Sequence, residues 1–520
     1  MPSYDAIVIG GGSNGLAAAG RLAKAGRKLL VLECARRTGG GAQSHEFAPG
    51  FKTSSVAHLL TMLDPRVEQG LDLPGHGLAY AAKTIPTTAL SATGDHLVLE
   101  GCYGDTIRGS LSEADRAAWA ALRSKLLRFA GVLRPLKDMT PARLGGGKDN
   151  EFMKLAKIAL KARLLGRDDL RELMRMLLIN VADVLNDDLV DDRLKGVVAF
   201  DTVLGAHLGP RSPNSLLLLL NRLAAEAAGE KAGLAVPKGG MGMVAESMSA
   251  ALKALGVEIR THARVKSLKV EDDRVVGVVL EDGEEIEAKT IVSAINPKTT
   301  FLNLLGPRHL DTEAVRRARN IRMRGTACKL HLALKGTPDF KGADLATRLV
   351  IAPSIQAVED AFNAAKYGEF SENPVMEIIL PSALEDGQAP SGRHVLSAIV
   401  QYAPYFLNQG WESGRAAFLG RIMKTLEVYA PGIGALVTGS ELLTPVDLEM
   451  RYGFEGGNWH HGELSAEQMM FLRPMIGAAQ YETPIAGLYL AGAGSHPGGG
   501  ISGAAGWNAA ERILSMEARP

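Results

Sequence analysis

Gly10, Gly12 and Gly15 stand in the spacing Gly-x-Gly-x-x-Gly, directly after the apolar run Ala6-Ile7-Val8-Ile9 and before an Ala- and Leu-rich stretch. Strand, glycine turn and helix in that order make a phosphate site. Gly10 permits the tight turn. Gly12, with Ser13 and Asn14 beside it, lets backbone approach a pyrophosphate at a helix N-terminus, and Gly15 lets helix and strand pack closely. Glu33 ends the next apolar run, where its carboxylate can accept from a ribose 2′-hydroxyl and would repel a 2′-phosphate. Arg36 and Arg37 precede a second run, Gly39-Gly40-Gly41. Gly40 and Gly41 can bring another loop to the same phosphates, with either arginine neutralising them; the alternative is a surface turn.

A matching set lies near the other end of the chain. Strand-forming residues 488–491 lead into Gly492-Ala493-Gly494, and Gly498-Gly499-Gly500-Ile501-Ser502-Gly503 follows. One nucleotide needs one glycine loop, so a second loop implies that the C-terminus folds back onto the same cofactor. A long dinucleotide with a bulky redox head requires that arrangement, which favours FAD over NAD. A helix opening at Ile501-Ser502 aims its positive end at a flavin ring, where negative charge develops on reduction. Gly499 and Gly500 let a flat ring lie against backbone.

Reacting groups follow from proximity to those loops. His45 comes just after the Gly39–Gly41 run and His496 just before the Gly498–Gly500 run; Asn458 and His461 sit in Asn458-Trp459-His460-His461. These four are the candidates for proton handling beside a ring, although histidine also serves as a structural hydrogen-bonding residue. Adjacent His460 and His461 point different ways and no carboxylate spacing supports them, so no metal is assigned. The three cysteines, Cys34, Cys102 and Cys328, form no Cys-x-x-Cys, which argues against thiol–disulfide chemistry.

The elements that must hold these residues read as an α/β chain. Residues 4–33 form one βαβ unit, with its helix expected from Leu16 to Ala25. Helical periodicity dominates 111–230, including Phe152–Leu165 and one helix over Leu170–Val184, with an exposed loop at Lys148-Asp149-Asn150. Strands 264–270, 274–281 and 285–288 form a meander, and Thr290–Ala294 a separate buried strand. Strands and helices over 326–445 suggest a second sheet. The expected division is a discontinuous Rossmann-like domain (1–75, 232–325 and 446–520) with an α+β substrate domain inserted as 76–231 and 326–445.

With 520 residues, 46% apolar and 22% charged, and net charge +1, the composition is that of a soluble globular protein and gives no support for a nucleic-acid partner. No signal peptide precedes the first strand and no apolar run reaches membrane-spanning length, so a cytoplasmic location is expected. The helix 152–165 carries Lys154, Lys157, Lys161 and Arg163 among apolar residues. It reads either as an amphipathic helix packed on its own domain or as a peripheral membrane contact. The oligomeric state is not indicated.

Asp5-Ala6-Ile7-Val8-Ile9-Gly10-Gly11-Gly12-x-x-Gly15-Leu16, with Glu33 and Gly39-Gly40, resembles the FAD-dependent amine-oxidase/phytoene-desaturase superfamily. Pro237–Gly242, Val257-Glu258-Ile259 and Val265 resemble its segment around the adenine-contacting strand. Gly456–Glu463, Phe471-Leu472-Arg473-Pro474 and Pro497–Gly500 look closer still to the phytoene-desaturase-like branch of pyridine nucleotide-disulfide oxidoreductase domain-containing protein 2. The resemblance implies a p-hydroxybenzoate-hydroxylase-like FAD domain and a hydrophobic, carotenoid- or lipid-like substrate that gives a hydride to flavin N5. With only one complete dinucleotide motif, electrons are expected to leave to oxygen or a quinone. A redox-neutral isomerase and a flavin-free prenyl carrier resembling Rab GDP-dissociation inhibitors are the alternatives.

Overall fold

Tyr4–Ile9 and Glu285–Ser293 run side by side through the middle of a seven-stranded sheet, with Ile7 opposite Ile291. Leu29–Leu32 and then Glu258–Arg260 extend the parallel part on one side, and Leu488–Leu490 adds to it beside Glu285–Ser293. Strands from three distant stretches thus share one sheet. The computed structural model describes residues 4–143 and 151–518; the expected loop at Lys148–Asn150 lies outside them. Ile7, Val8, Leu30, Val31, Ile291 and Val292 are fully buried, because helices cover one face of the parallel strands and residues of the meander with Phe301 and Leu304 cover the other.

The meander strand and the buried strand after it are one element, Glu285–Ser293. Its first half pairs antiparallel with Arg274–Leu280 and its second half parallel with Tyr4–Ile9. Burial alternates in the first half and is continuous from Thr290 to Ser293. No Gly or Pro interrupts Ala288-Lys289-Thr290, so nothing breaks the strand as its environment changes.

The first helix, Ser13–Ala23, begins three residues earlier than Leu16, directly after Gly12. The last helix, Ala504–Glu517, begins later than Ile501-Ser502, because Gly503 takes φ 69° and stops helical geometry there. The two helices cross closely. A Cβ on Gly506 would stand 1.8 Å from the Asn14 carbonyl oxygen, so only glycine permits the approach.

A second, eight-stranded sheet runs in the order Val437–Leu443, Ala327–Leu334, His394–Gln401, Val375–Ile379, Arg348–Ile351, Thr87–Ala89, Leu97–Glu100 and Thr106–Arg108. Helices Glu113–Lys137, Asp192–Val203 and Ser215–Leu223 build an apolar layer with its Thr87–Ala89 end. The helix expected over Leu170–Val184 is two, Arg167–Leu178 and Val181–Asp188. Asn180 separates them: its side-chain oxygen accepts from the Asp183 amide and caps the second.

Candidate functional site

The first glycine loop has an unfilled side. A Cβ built on Gly12 would meet nothing within 4 Å, whereas one on Gly15 would lie 2.0 Å from the Gly10 carbonyl oxygen. Gly10 itself has φ +99°. Glu33 is buried and braces the loop: its carboxylate accepts from the Gly11 amide at 2.7 Å and from the Ala35 amide at 2.8 Å.

Two clefts join at this loop. One, about 610 Å³, is bordered by Gly10, Glu33, Ala35 and Val265. The other, about 240 Å³, is bordered by Ser13, Asn14, Gly41, Ala493, Gly499, Gly500 and Ile501. Gly12, Gly40, Ala294, Phe454 and His461 border both. The result is one long groove with glycine backbone at its waist. Open glycine backbone at such a waist is what the phosphates of a dinucleotide need. Asn14 Oδ1, buried beside the second cleft, has no hydrogen-bond partner, an acceptor that a ligand hydroxyl would satisfy.

Not every expected cofactor residue borders the groove. Gly492 and Gly494 are packing glycines: an added Cβ would stand 2.6 Å from the Ala294 carbonyl oxygen and from Pro297 Cδ, respectively. Gly503 likewise packs on Ala17 and Val67. Arg36 and Arg37 are exposed, and Arg37 borders a separate surface cleft with Thr38 and Glu246.

The four reacting candidates separate. His461 borders both clefts, with Nδ1 unpartnered and the ring pushed down to about 4 by burial and then by Arg473. Asn458 ties its own loop: Oδ1 accepts from the His460 amide and Nδ2 donates to the Arg324 carbonyl. His496 Nε2 donates to the Leu136 carbonyl oxygen at 2.6 Å. His45 borders neither cleft. It lies on Ser44–Ala48, with Nδ1 2.9 Å from Ser55 Oγ and Nε2 2.8 Å from Glu441 Oε2. His45, His331 and Glu441 bring one ligand-type atom each within 4.8 Å of one another.

Sequence reasoning missed the charged wall of the second cleft, formed by His58, Asp201, Arg222 and Glu377. Lys329 Nζ is 2.7 Å from His58 Nδ1, so that nitrogen accepts and Nε2–H donates to Glu377 Oε1 at 3.0 Å. Arg348 binds the other Glu377 oxygen at 2.5 Å and Asp201 Oδ1 at 2.6 Å. Arg222 Nη1 reaches the same Asp201 oxygen at 2.7 Å. Burial raises the Glu377 carboxyl, but Arg348 and His58 outweigh it and hold the group far below the usual carboxylate range. Burial and then Lys329 push His58 down to about 4, so it is a neutral imidazole at pH 7. Burial lowers the Lys329 ammonium strongly. The available signal was charge inside apolar strands: Lys329 in Ala327–Leu334 and Glu377 in Val375–Ile379.

Residues 15–514 match the family described as flavin containing amine oxidoreductase. Pyridine nucleotide-disulfide oxidoreductase domain-containing protein 2 of Rattus norvegicus is 32% identical, over 99% of this chain and 94% of its own length. The lycopene-forming phytoene desaturase of Pantoea ananas is 24% identical over 98% of both chains. Cyclohexylamine oxidase from Brevibacterium oxydans IH-35A shares the fold, with TM-score 0.58 at 16% identity over 100% of both chains.

Proposed function

This chain belongs to the flavin containing amine oxidoreductase family, and on that premise we propose that it oxidises a hydrophobic, carotenoid- or lipid-like small molecule and passes the electrons to oxygen or a quinone. It is an FAD-dependent oxidoreductase. The observation that carries the substrate reading is the continuity of the groove: glycine backbone at its waist, then a cleft walled by Leu204, Leu218, Ile399 and Leu464. When bound, FAD supplies a two-electron acceptor that takes a hydride.

The residues of this chain prepare the cleft for that event. Apolar walls exclude water and hold the substrate by its body. His58 is kept neutral with its Nε2 proton on Glu377, so it is poised to hold or move a proton. His461, at the waist, is the second such group. Asn458 and His496 position the loops beside the cleft, and His45 acts outside it. FAD is held by Gly10, Gly12, Ser13, Asn14, Glu33, Gly40, Gly41, Val265, Ala493, Gly499, Gly500 and Ile501. No metal takes part. The chain divides into five segments at 75, 231, 325 and 445.

Delivery of such a substrate suits a membrane surface. Among the described residues no helix is long and apolar enough to cross a membrane. Met153, Leu160 and Leu164 are exposed along one face of Glu151–Leu164, flanked by Lys154, Lys157, Lys161 and Arg163. An apolar stripe edged by cations fits the cytoplasmic face of an anionic bilayer.

The test is anaerobic addition of a lipophilic extract to the purified holoenzyme. Bleaching of the flavin band by one fraction, and its return with oxygen or a quinone, is the expected outcome. A band that no fraction bleaches, with a substrate isomerised and no acceptor consumed, would overturn the reading in favour of a redox-neutral isomerase.

A further inference from the structure

Resting on that reading, we propose that the substrate is not a plain hydrocarbon: its apolar body ends in one uncharged oxygen acceptor, a carbonyl or a hydroxyl, bound by Arg222 and Asn221 in the second cleft.

The argument starts from charge. Asp201 and Glu377 face Arg222 and Arg348 in one connected cluster, two carboxylates against two guanidiniums. The cluster is buried, and its carboxylates and guanidiniums balance; Lys329, behind His58, is shifted by burial toward its neutral amine. A carboxylate or ammonium head placed against it would add a buried charge with no partner. An ionised head is therefore excluded by what is already there.

Hydrogen-bond capacity then decides between a polar head and none. Both Glu377 oxygens are taken, one by His58 and one by Arg348. The donors are not all taken. Arg222 commits Nη1 to the Asp201 side chain and, at 3.4 Å, to its carbonyl oxygen. Its Nε and Nη2 hydrogens meet no acceptor among the described residues. Asn221, the preceding residue on Ser215–Leu223, accepts from Lys137 Nζ through Oδ1 at 2.8 Å, which leaves its Nδ2 hydrogens. Both side chains border the cleft. The open donors of Arg222 and Asn221 match an oxygen with lone pairs.

Much of the remaining wall is apolar: Leu204, Ala206, Leu218, Ile399 and Leu464. A hydrocarbon such as phytoene fills that wall and offers the donors nothing. Filling the cleft with it would expel water from Arg222 and Asn221 without replacement, and a site built to meet a polar group rejects an analogue lacking one.

The experiment uses FAD-loaded enzyme and four probes of equal chain length: dodecane, 2-dodecanone, dodecanoate and dodecylamine. Binding is read from perturbation of the flavin absorbance and, separately, from the melting temperature. The ketone is expected to bind at least tenfold more tightly than each of the other three. In Asn221→Leu, outside the ion cluster, the ketone should lose that advantage while dodecane binds no worse. Arg222→Gln, which keeps donors but removes charge, should retain most of the preference for the ketone over dodecane. Equal binding of ketone and dodecane, preference for either ion, no binding of any probe, or an unchanged Asn221→Leu would overturn the inference while leaving an FAD oxidoreductase in place. Failure of extracts to bleach the flavin, with the ketone preference intact, would instead count against the redox reading alone.

Discussion

The two ends of the groove are built by different means. At the end we propose for the nucleotide, backbone does the work: Gly12 opens onto the groove, Gly15 and Gly506 let elements meet, and the Glu33 carboxylate braces the loop. At the substrate end, side chains do it: His58, Asp201, Arg222, Lys329, Arg348 and Glu377 form a buried polar cluster drawn from distant segments of the chain. The first fails by collision when a side chain is added. The second fails by desolvated charge when a side chain is removed.

Adding one side chain should do the greatest damage. Gly15→Val drives a Cβ into the Gly10 carbonyl. The loop cannot yield without leaving its strand, so the purified variant should retain less than about a tenth of the flavin, read as visible absorbance per protein. A fully flavinylated variant would break the comparison at its nucleotide end.

Arg348→Met tests the other end. It leaves Asp201 with Arg222 alone and strips Glu377 of its cation, so stability should fall by about 3–5 kcal/mol in denaturant unfolding. A loss under about 1 kcal/mol would mean that the cluster is not a unit.

How far each end was legible follows the same division. The loops that border the groove were legible in Gly10, Gly12, Gly15, Glu33, Gly40 and Gly499–Ile501, because glycine spacing is a local property. The errors were local too: the last helix starts past Gly503, and Gly492 and Gly494 face protein. His58 itself stands in an apolar stretch, Val56-Ala57-His58-Leu59-Leu60. Nothing near it announces Lys329 or Glu377, which two strands of the second sheet deliver.

A smaller effect should appear in rate. His58→Ala removes the neutral imidazole and leaves the glycine loops untouched, so flavin content should hold while turnover falls about 10²-fold or more. Equal turnover would remove His58 from the chemistry.

Acid should separate the ends further. Burial holds His58, His461 and His496 at about 4 and His460 at about 3, against an ordinary 6.5. Depressed values mean that the unfolded chain takes up protons first as pH falls. Their contribution is complete above pH 6.5 and is lost between 6.5 and about 4, continuing to about 3 for His460. Each histidine gives at most about 1.4 kcal/mol per pH unit. The melting temperature should drop steeply from pH 6.5 to 4.5, and a flat profile would contradict the burial of these rings.

The smallest effect expected is none. Dialysis against EDTA should leave flavin content and turnover unchanged, because both His45 nitrogens are taken, by Ser55 and Glu441, and His331 Nε2 lies 3.3 Å from the Ser55 carbonyl oxygen. Loss of activity restored by a divalent ion would reverse the assignment of no metal.

The residues in order determined the cofactor, the βαβ start and the return of the C-terminus, since each depends on glycines and apolar runs within a few positions of one another. Tertiary structure alone decided what lines the second cleft. Charges buried in apolar strands must find partners, and which partner each meets depends on the register of strands far apart in the chain. Local spacing carries no trace of that register.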